Sequence, residues 1–198
     1  MDDDIRIRPL AEGDWDAVVA LEAGAYALDG LSEGREALES RGRSSPGTCF
    51  VAEHRGRVGG YLLALPYPPM RIPDLSLPEG PGPARAATGG GPAAGNLHAH
   101  DLVIAEELRG RGLGVRLLDH LLETAREQRF ERISLVAVRG TEVLWAPLGY
   151  RAHPGVGIPA SYGSRAVYMS MAVAPAPDEK SNHTGDPLQP AAPTDELG

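Results

Sequence analysis

A chain of 198 residues, 42% of them hydrophobic, can bury the core of one small enzyme domain. Its formal net charge of −8 argues against non-specific nucleic-acid binding and is compatible with a cationic partner. Cys49 is the only cysteine, which excludes an intrachain disulfide and a cysteine-rich zinc site.

Met1-Asp2-Asp3-Asp4 has neither the basic region nor the apolar stretch of a secretory signal. No apolar run approaches the ~20 residues that a membrane-spanning helix needs, so a cytoplasmic protein with no membrane partner is expected. The 25 glycines and 18 prolines must gather in loops or disordered stretches.

In chain order, Ile5-Arg-Ile-Arg8 alternates as a half-buried strand and Pro9 stops it. A helix is expected from about Asp14, which is placed near its N-cap, with Trp15, Val18, Val19 and Glu22/Tyr26 at helical spacing. Ser32 to Arg41 reads as a second helix weakened by Gly34. Thr48 to Ala52 and Val58 to Leu65 read as a hairpin turning at His54-Arg-Gly56. From about 66 to 96 the composition shifts to Pro, Gly and Ala, an inserted loop that could cover a substrate site or simply be disordered.

Leu97 to Ile104 is the next strand. Gly112 to about Gln128 is an amphipathic helix, with Leu117, Leu118, Leu121, Leu122 and Ala125 on one face. Arg132 to Val138 reads as a central strand, Thr141 to Leu148 as a short helix closed by Gly149, and Ala166 to Val173 as a last strand. Residues 1–173 are thus expected to form one domain, and 174–198 a disordered tail.

The strand–turn–helix unit from Leu97 to Gln128 carries Arg109-Gly110-Arg111-Gly112-Leu113-Gly114 in its turn. A helix N-terminus presents unpaired amides and a partial positive charge, and glycine lets phosphate oxygens approach the main chain. Glycines at 110, 112 and 114 do not make the dinucleotide fingerprint, and no Lys-Ser/Thr follows as a P-loop requires. The pattern Arg/Gln-x-x-Gly-x-Gly/Ala, met by Arg109, Gly112 and Gly114 and followed by Leu148-Gly149-Tyr150, resembles the pyrophosphate loop of the Gcn5-related N-acetyltransferases.

That resemblance covers about residues 5 to 173. It implies an α/β (α+β) fold with a central mixed, mostly antiparallel sheet flanked by helices, and acetyl-CoA as the acyl donor, with no metal. It places Leu102, Val103 and Ile104 beside the donor's pantetheine arm. The amides of Gly110, Arg111, Gly112, Leu113, Gly114 and Val115 would face the pyrophosphate. Relatives often form homodimers.

His98 and His100 lie two apart on a strand and should project together. Imidazole, with a pKa near 6.5, can accept the proton that an amine must lose, and this makes the two histidines the candidate catalytic bases. The pair is similar to one in the arylalkylamine N-acetyltransferase branch of the family. Two histidines two apart lack the further ligands of a zinc site. Asp101 falls on the opposite face by simple alternation, but the resemblance implies a bulge near here that can re-aim it.

Trp145 stands where many relatives have a tyrosine that protonates the departing thiolate, and indole N–H is no acid at neutral pH. Tyr150, Tyr162 and Tyr168 are the candidate replacements. Arg139 and Gly140 stand where relatives often have an asparagine. The expected activity is acetyl transfer to a primary amine of a small molecule, arylalkylamine- or polyamine-like, by direct attack in a ternary complex. A protein or peptide acetyltransferase and a non-catalytic CoA sensor are the alternatives.

Overall fold

The computed structural model describes residues 5–79 and 95–174. Seven strands form one twisted sheet: β1 (Ile5–Pro9), β2 (Phe50–His54), β3 (Arg57–Pro66), β4 (Asn96–Ile104), β5 (Arg132–Val138), β6 (Arg151–Ala152) and β7 (Ala166–Ala172). Their order is β1-β2-β3-β4-β5-β7-β6, and only the β4–β5 pair is parallel. The helices are α1 (Trp15–Tyr26), α2 (Arg35–Ser44), α3 (Leu113–Glu127) and the short α4 (Glu142–Trp145).

Both faces of the sheet are covered, which explains why β3 is apolar at nearly every position. Leu62 and Ala64 face α3, where Leu113, Leu117, Leu121 and Ala125 form a buried i, i+4 stripe. Tyr61 and Leu63 face the opposite layer, with Trp15 and Val18 of α1 and Leu38 of α2.

One irregularity shapes the site. Opposite β3 the register jumps: Leu63 pairs with Asp101 and Ala64 with Ala99, so His100 is left over as a bulge. On the other side β4 pairs with β5 only through Asn96, Leu97 and His98, against Arg132, Ile133 and Ser134. Beyond that point β5 follows β7 and β4 follows β3, and the sheet splits.

Several boundaries differ from the sequence reading. β2 begins at Phe50 because Pro46–Thr48 forms a tight turn. Gly34 does not weaken α2 but precedes it as the N-cap at φ 79°, so the helix starts at Arg35. Asp14 stands at the N-cap of α1 as expected but makes no side-chain cap bond to it: its carboxylate accepts from the Ala11 amide at 2.8 Å and pairs with Arg8. α4 ends at Trp145, two residues before Pro147. The two-residue edge strand β6 carries too short a pattern to be read from sequence. Residues 80–94 of the expected insertion and 175–198 of the expected tail lie outside the described residues.

Tyr67 to Glu79, the described part of the insertion, is fastened to the body. Arg41, fully buried near the end of α2, pairs with Glu33 and Glu79 and donates to the carbonyls of Asp74 (2.9 Å) and Leu77 (3.3 Å). The Met70 amide donates to the Tyr168 hydroxyl at 3.1 Å, and the Ser161 hydroxyl to Asp74 Oδ1 at 3.0 Å. Removing one partner of such a buried ion network leaves an uncompensated charge and costs about 3–5 kcal/mol. Arg41→Ala is therefore expected to lower Tm by roughly 10 °C in a thermal melt. It should also speed proteolytic cleavage between residues 67 and 79.

Candidate active site at the split of the sheet

The split opens a cleft of about 540 Å³, inside the usual range for a ligand pocket. Leu102, Val103 and Ile104 of β4 form one wall, Leu135, Val136 and Val138 of β5 the other, with Gly24 to Tyr26 of α1 and Leu144 and Trp145 of α4 at the sides. Because β4 has no strand partner on this side beyond His98 among the described residues, its main chain is open to an extended ligand.

At one end of the cleft lies the glycine-rich turn. Arg109 lines the cleft, its Nε donating to the Ile104 carbonyl at 3.2 Å. Gly110 and Gly112 hold φ values of 74° and 75°, the left-handed region that other residues enter only with strain. Gly112 is the N-cap of α3 and supplies no side-chain cap, and the first helical bond runs from the Arg116 amide to the Gly112 carbonyl. The amides of Leu113, Gly114 and Val115 therefore have no intrahelical partner. No acidic side chain sits in the first turn to compete for them. Leu113 anchors the turn in the core, Val115 is half exposed, and a Cβ at Gly114 would come into van der Waals contact with the Leu102 and Ile104 side chains. A diphosphate fits this donor set.

The bulge re-aims β4. Asp101 shares the α1/α2 face with His98 and His100, rather than the opposite one that alternation alone gives it. The two imidazoles lie 6.1 Å apart, but in different surroundings. His98 lines neither the cleft nor the cavity described next. Its Nδ1 is 3.0 Å from the Ser134 hydroxyl and its Nε2 has no partner among the described residues. Burial first, then the nearby His100 and Arg41, push its pKa well below the ordinary value, so it stays neutral.

His100 is different. Its side chain is buried while its main chain reaches the cleft. Its Nε2 stands 2.5 Å from Glu33 Oε1 and 2.8 Å from the Arg41 Nε donor; the shorter contact, at which two lone pairs would repel, assigns the proton to Nε2. The Arg41 Nε–H is then directed to Glu33 Oε2 at 2.8 Å. His100 Nδ1 is left as a lone pair with no partner among the described residues. Burial raises the Glu33 pKa, but His100 and Arg41 more than offset it and hold the carboxyl below its usual range.

Next to the cleft lies a smaller cavity of about 50 Å³. Glu22, Glu33, His100, Asp101 and Tyr162 line it, with Leu75 contributed by the Tyr67–Glu79 segment. Glu22 is buried and accepts from the Ser32 hydroxyl (2.6 Å) and the Glu33 amide (2.8 Å). Asp101 accepts from the hydroxyls of Tyr26 (2.9 Å) and Tyr61; burial raises its pKa to about 6 against those bonds. The Tyr162 hydroxyl is buried without a partner among the described residues. Five residues belong to both spaces: Tyr26, His100, Asp101, Val136 and Val138.

Sequence reasoning missed Glu33, Arg41 and Tyr162 in this role. Glu22 carried a signal, a carboxylate on the buried stripe of α1 beside Trp15 and Val18. Trp145 lines the cleft and packs edge-on against Tyr150, with centroids 5.6 Å apart. Tyr150 and Tyr168 line neither space, and Tyr162 lines only the smaller one.

A sheet split at a bulge, with an uncapped helix N-terminus at its mouth, defines an enzyme that takes a phosphate-bearing acyl carrier. The chain belongs to the acetyltransferase (GNAT) family, whose model matches residues 15–144, and it is accordingly an acyl-CoA-dependent acyltransferase. No curated protein sequence matches it. Solved structures share the fold. Ard1 from Thermoplasma volcanium is 16% identical with a TM-score of 0.64, over 86% of this chain and 99% of its own. N-acetylglutamate synthase from Neisseria gonorrhoeae, complexed with coenzyme A and N-acetyl-glutamate, is 18% identical with a TM-score of 0.63, over 86% and 35%. Arabidopsis thaliana Naa50, in complex with the bisubstrate analogue CoA-Ac-MVNAL, is 13% identical with a TM-score of 0.59, over 84% and 97%. Among the described residues no helix is long and apolar enough to cross a membrane.

Gly112→Val tests the turn. A β-branched residue at positive φ costs about 1–2 kcal/mol and must rotate the first amides of α3. Calorimetry should show CoA affinity reduced at least about tenfold, and a thermal melt a Tm loss of only a few degrees.

Proposed function

We propose that the protein transfers an acetyl group from acetyl-CoA to the primary amine of a small cationic molecule, by direct attack in a ternary complex. The observation that carries this reading is the shared wall. The cleft suited to the donor and the acidic cavity meet at the β4 bulge, so an acceptor entering one reaches a thioester lying in the other. Leu102, Val103 and Ile104 would bond the pantetheine arm. Arg109 and the amides from Gly110 through Val115 would hold the pyrophosphate.

The acceptor side selects charge and size. Once Arg41 is set against Glu33, the carboxylates of Glu22 and Asp101 remain to attract an ammonium group. This favours the polyamine-like part of the expectation. A cavity of about 50 Å³, narrowed by Leu75 and Tyr162, suits the end of a short aliphatic amine better than an aryl ring or a folded polypeptide. The peptide-bound Naa50 complex has the same fold, so the acceptor must be decided by turnover.

An amine with a pKa near 10.4 must lose a proton before it attacks, at a cost of roughly 4–5 kcal/mol at neutral pH. Of the two histidines, we assign that proton to His100 Nδ1, whose other nitrogen Glu33 fixes as N–H. His98 packs against it as a neutral positioning residue. Ordered amides near the bulge would polarise the thioester carbonyl.

His100→Gln removes the base. Thiol release from acetyl-CoA with spermidine, putrescine and tyramine should fall about 100-fold in kcat/KM at neutral pH. The sign of the pH effect follows from the amine: without the imidazole it must deprotonate unaided, so the acid limb moves to higher pH. His98→Gln should lower the rate less and leave that limb in place. Intact-mass analysis of protein substrates should show no acetylation.

A further inference from the structure

Amine acetylation moves more than one proton. An ammonium acceptor sheds two from nitrogen, one before attack and one as the amide forms, while the leaving sulfur gains one. His100 accounts for the first. The second must leave nitrogen, and another must reach sulfur, at the place where the two spaces meet.

Among the described residues five line both spaces, and of these one has a hydroxyl and one a carboxylate. The hydroxyl is Tyr26, at the last position of α1, and the carboxylate is Asp101, brought to the same face by the β4 bulge. The Tyr26 hydroxyl donates to Asp101 Oδ1 at 2.9 Å, and Tyr61 holds the second carboxylate oxygen. The tyrosines considered from sequence do not compete. Tyr150 and Tyr168 line neither space, and Tyr162 does not line the cleft.

We infer that Tyr26 and Asp101 form a proton relay in which Asp101 takes the second amine proton and Tyr26 protonates the departing thiolate. The proposal rests on the amine acetyltransferase reading given above. The amine lone pair forms the C–N bond at the thioester carbonyl, and on collapse the C–S bond breaks with its electron pair on sulfur. The nitrogen proton passes to the Asp101 carboxylate and the Tyr26 hydroxyl proton passes to sulfur. Asp101 then returns its proton to the Tyr26 oxygen across their existing hydrogen bond. Amide and CoA thiol are the products, and both side chains regain their starting states.

Electrostatics at Tyr26 favour this order of events. Burial, then the Asp101 anion, hold the phenol pKa well above its ordinary value, so Tyr26 keeps its proton until reaction begins. Protonation of Asp101 by the amine removes the second of those causes at the moment the thiolate forms. The Arg139 guanidinium, 5.6 Å over the Tyr26 ring, opposes the rise and would favour the transient phenolate.

Tyr26→Phe keeps the ring beneath Arg139 and removes only the hydroxyl. With acetyl-CoA and spermidine, putrescine or tyramine, kcat should fall about 100-fold, while KM for acetyl-CoA stays within about twofold. The solvent deuterium isotope effect on kcat should fall toward unity, and 3-fluorotyrosine at position 26 should restore turnover. Asp101→Asn, which keeps the shape of the side chain with one acceptor oxygen and one amide donor, should show the same kcat loss and guards against a folding defect in the first variant. A Tyr26→Phe kcat within twofold of the parent, in a chain that turns over amines, overturns the relay and leaves the acetyltransferase reading intact. A parent chain that binds CoA but releases no thiol with any amine overturns both.

Discussion

The early end of the β4–β5 pairing is the constraint on which everything else depends. A parallel strand pair normally spends its main-chain donors and acceptors on its neighbour, and buried unpaired ones are costly. Here three residue pairs are made and then the strands diverge, because β4 stays with β3 and β5 with β7. Among the described residues, the main chain from Ala99 to Val103 therefore has a strand partner on one side only. That open side gives the cleft its floor, and the bulge at His100 gives it its bend. Without the split, the uncapped N-terminus of α3 would be an anion site with no groove leading to it.

The acceptor side depends on charge buried at long range. Arg41 from α2, Glu33 from the turn before it and His100 from β4 meet in one network, and Arg41 also grips the segment from Asp74 to Glu79. Such a network is expensive to desolvate and adds little net stability. What it secures is position. Glu33 sets the tautomer of His100, and Arg41 links the segment that narrows the acceptor cavity to the side chain at its base.

Much of this was legible in the sequence, for local reasons. The α3 stripe, the glycine turn and the hairpin through Arg55 and Gly56 follow from periodicity and backbone freedom, which a short window contains. The bulge was foreseen only through the family resemblance. Arg41 was not legible: within α2 it looks like a surface cation, and its partners lie 8, 33, 36 and 38 residues away. Tyr26 was read as part of a helical face, and only the folded chain sets its hydroxyl against Asp101. The two histidines look equivalent by spacing, yet Ser134 and Glu33 give them different environments.

Hydrogen exchange with and without acetyl-CoA tests the split most directly. Bound donor should slow exchange at the amides of Leu102 to Ile104 and of Leu113 to Val115 together, leaving β1 and β2 unchanged. Unaltered exchange in both segments at saturating acetyl-CoA would contradict the assignment of the cleft.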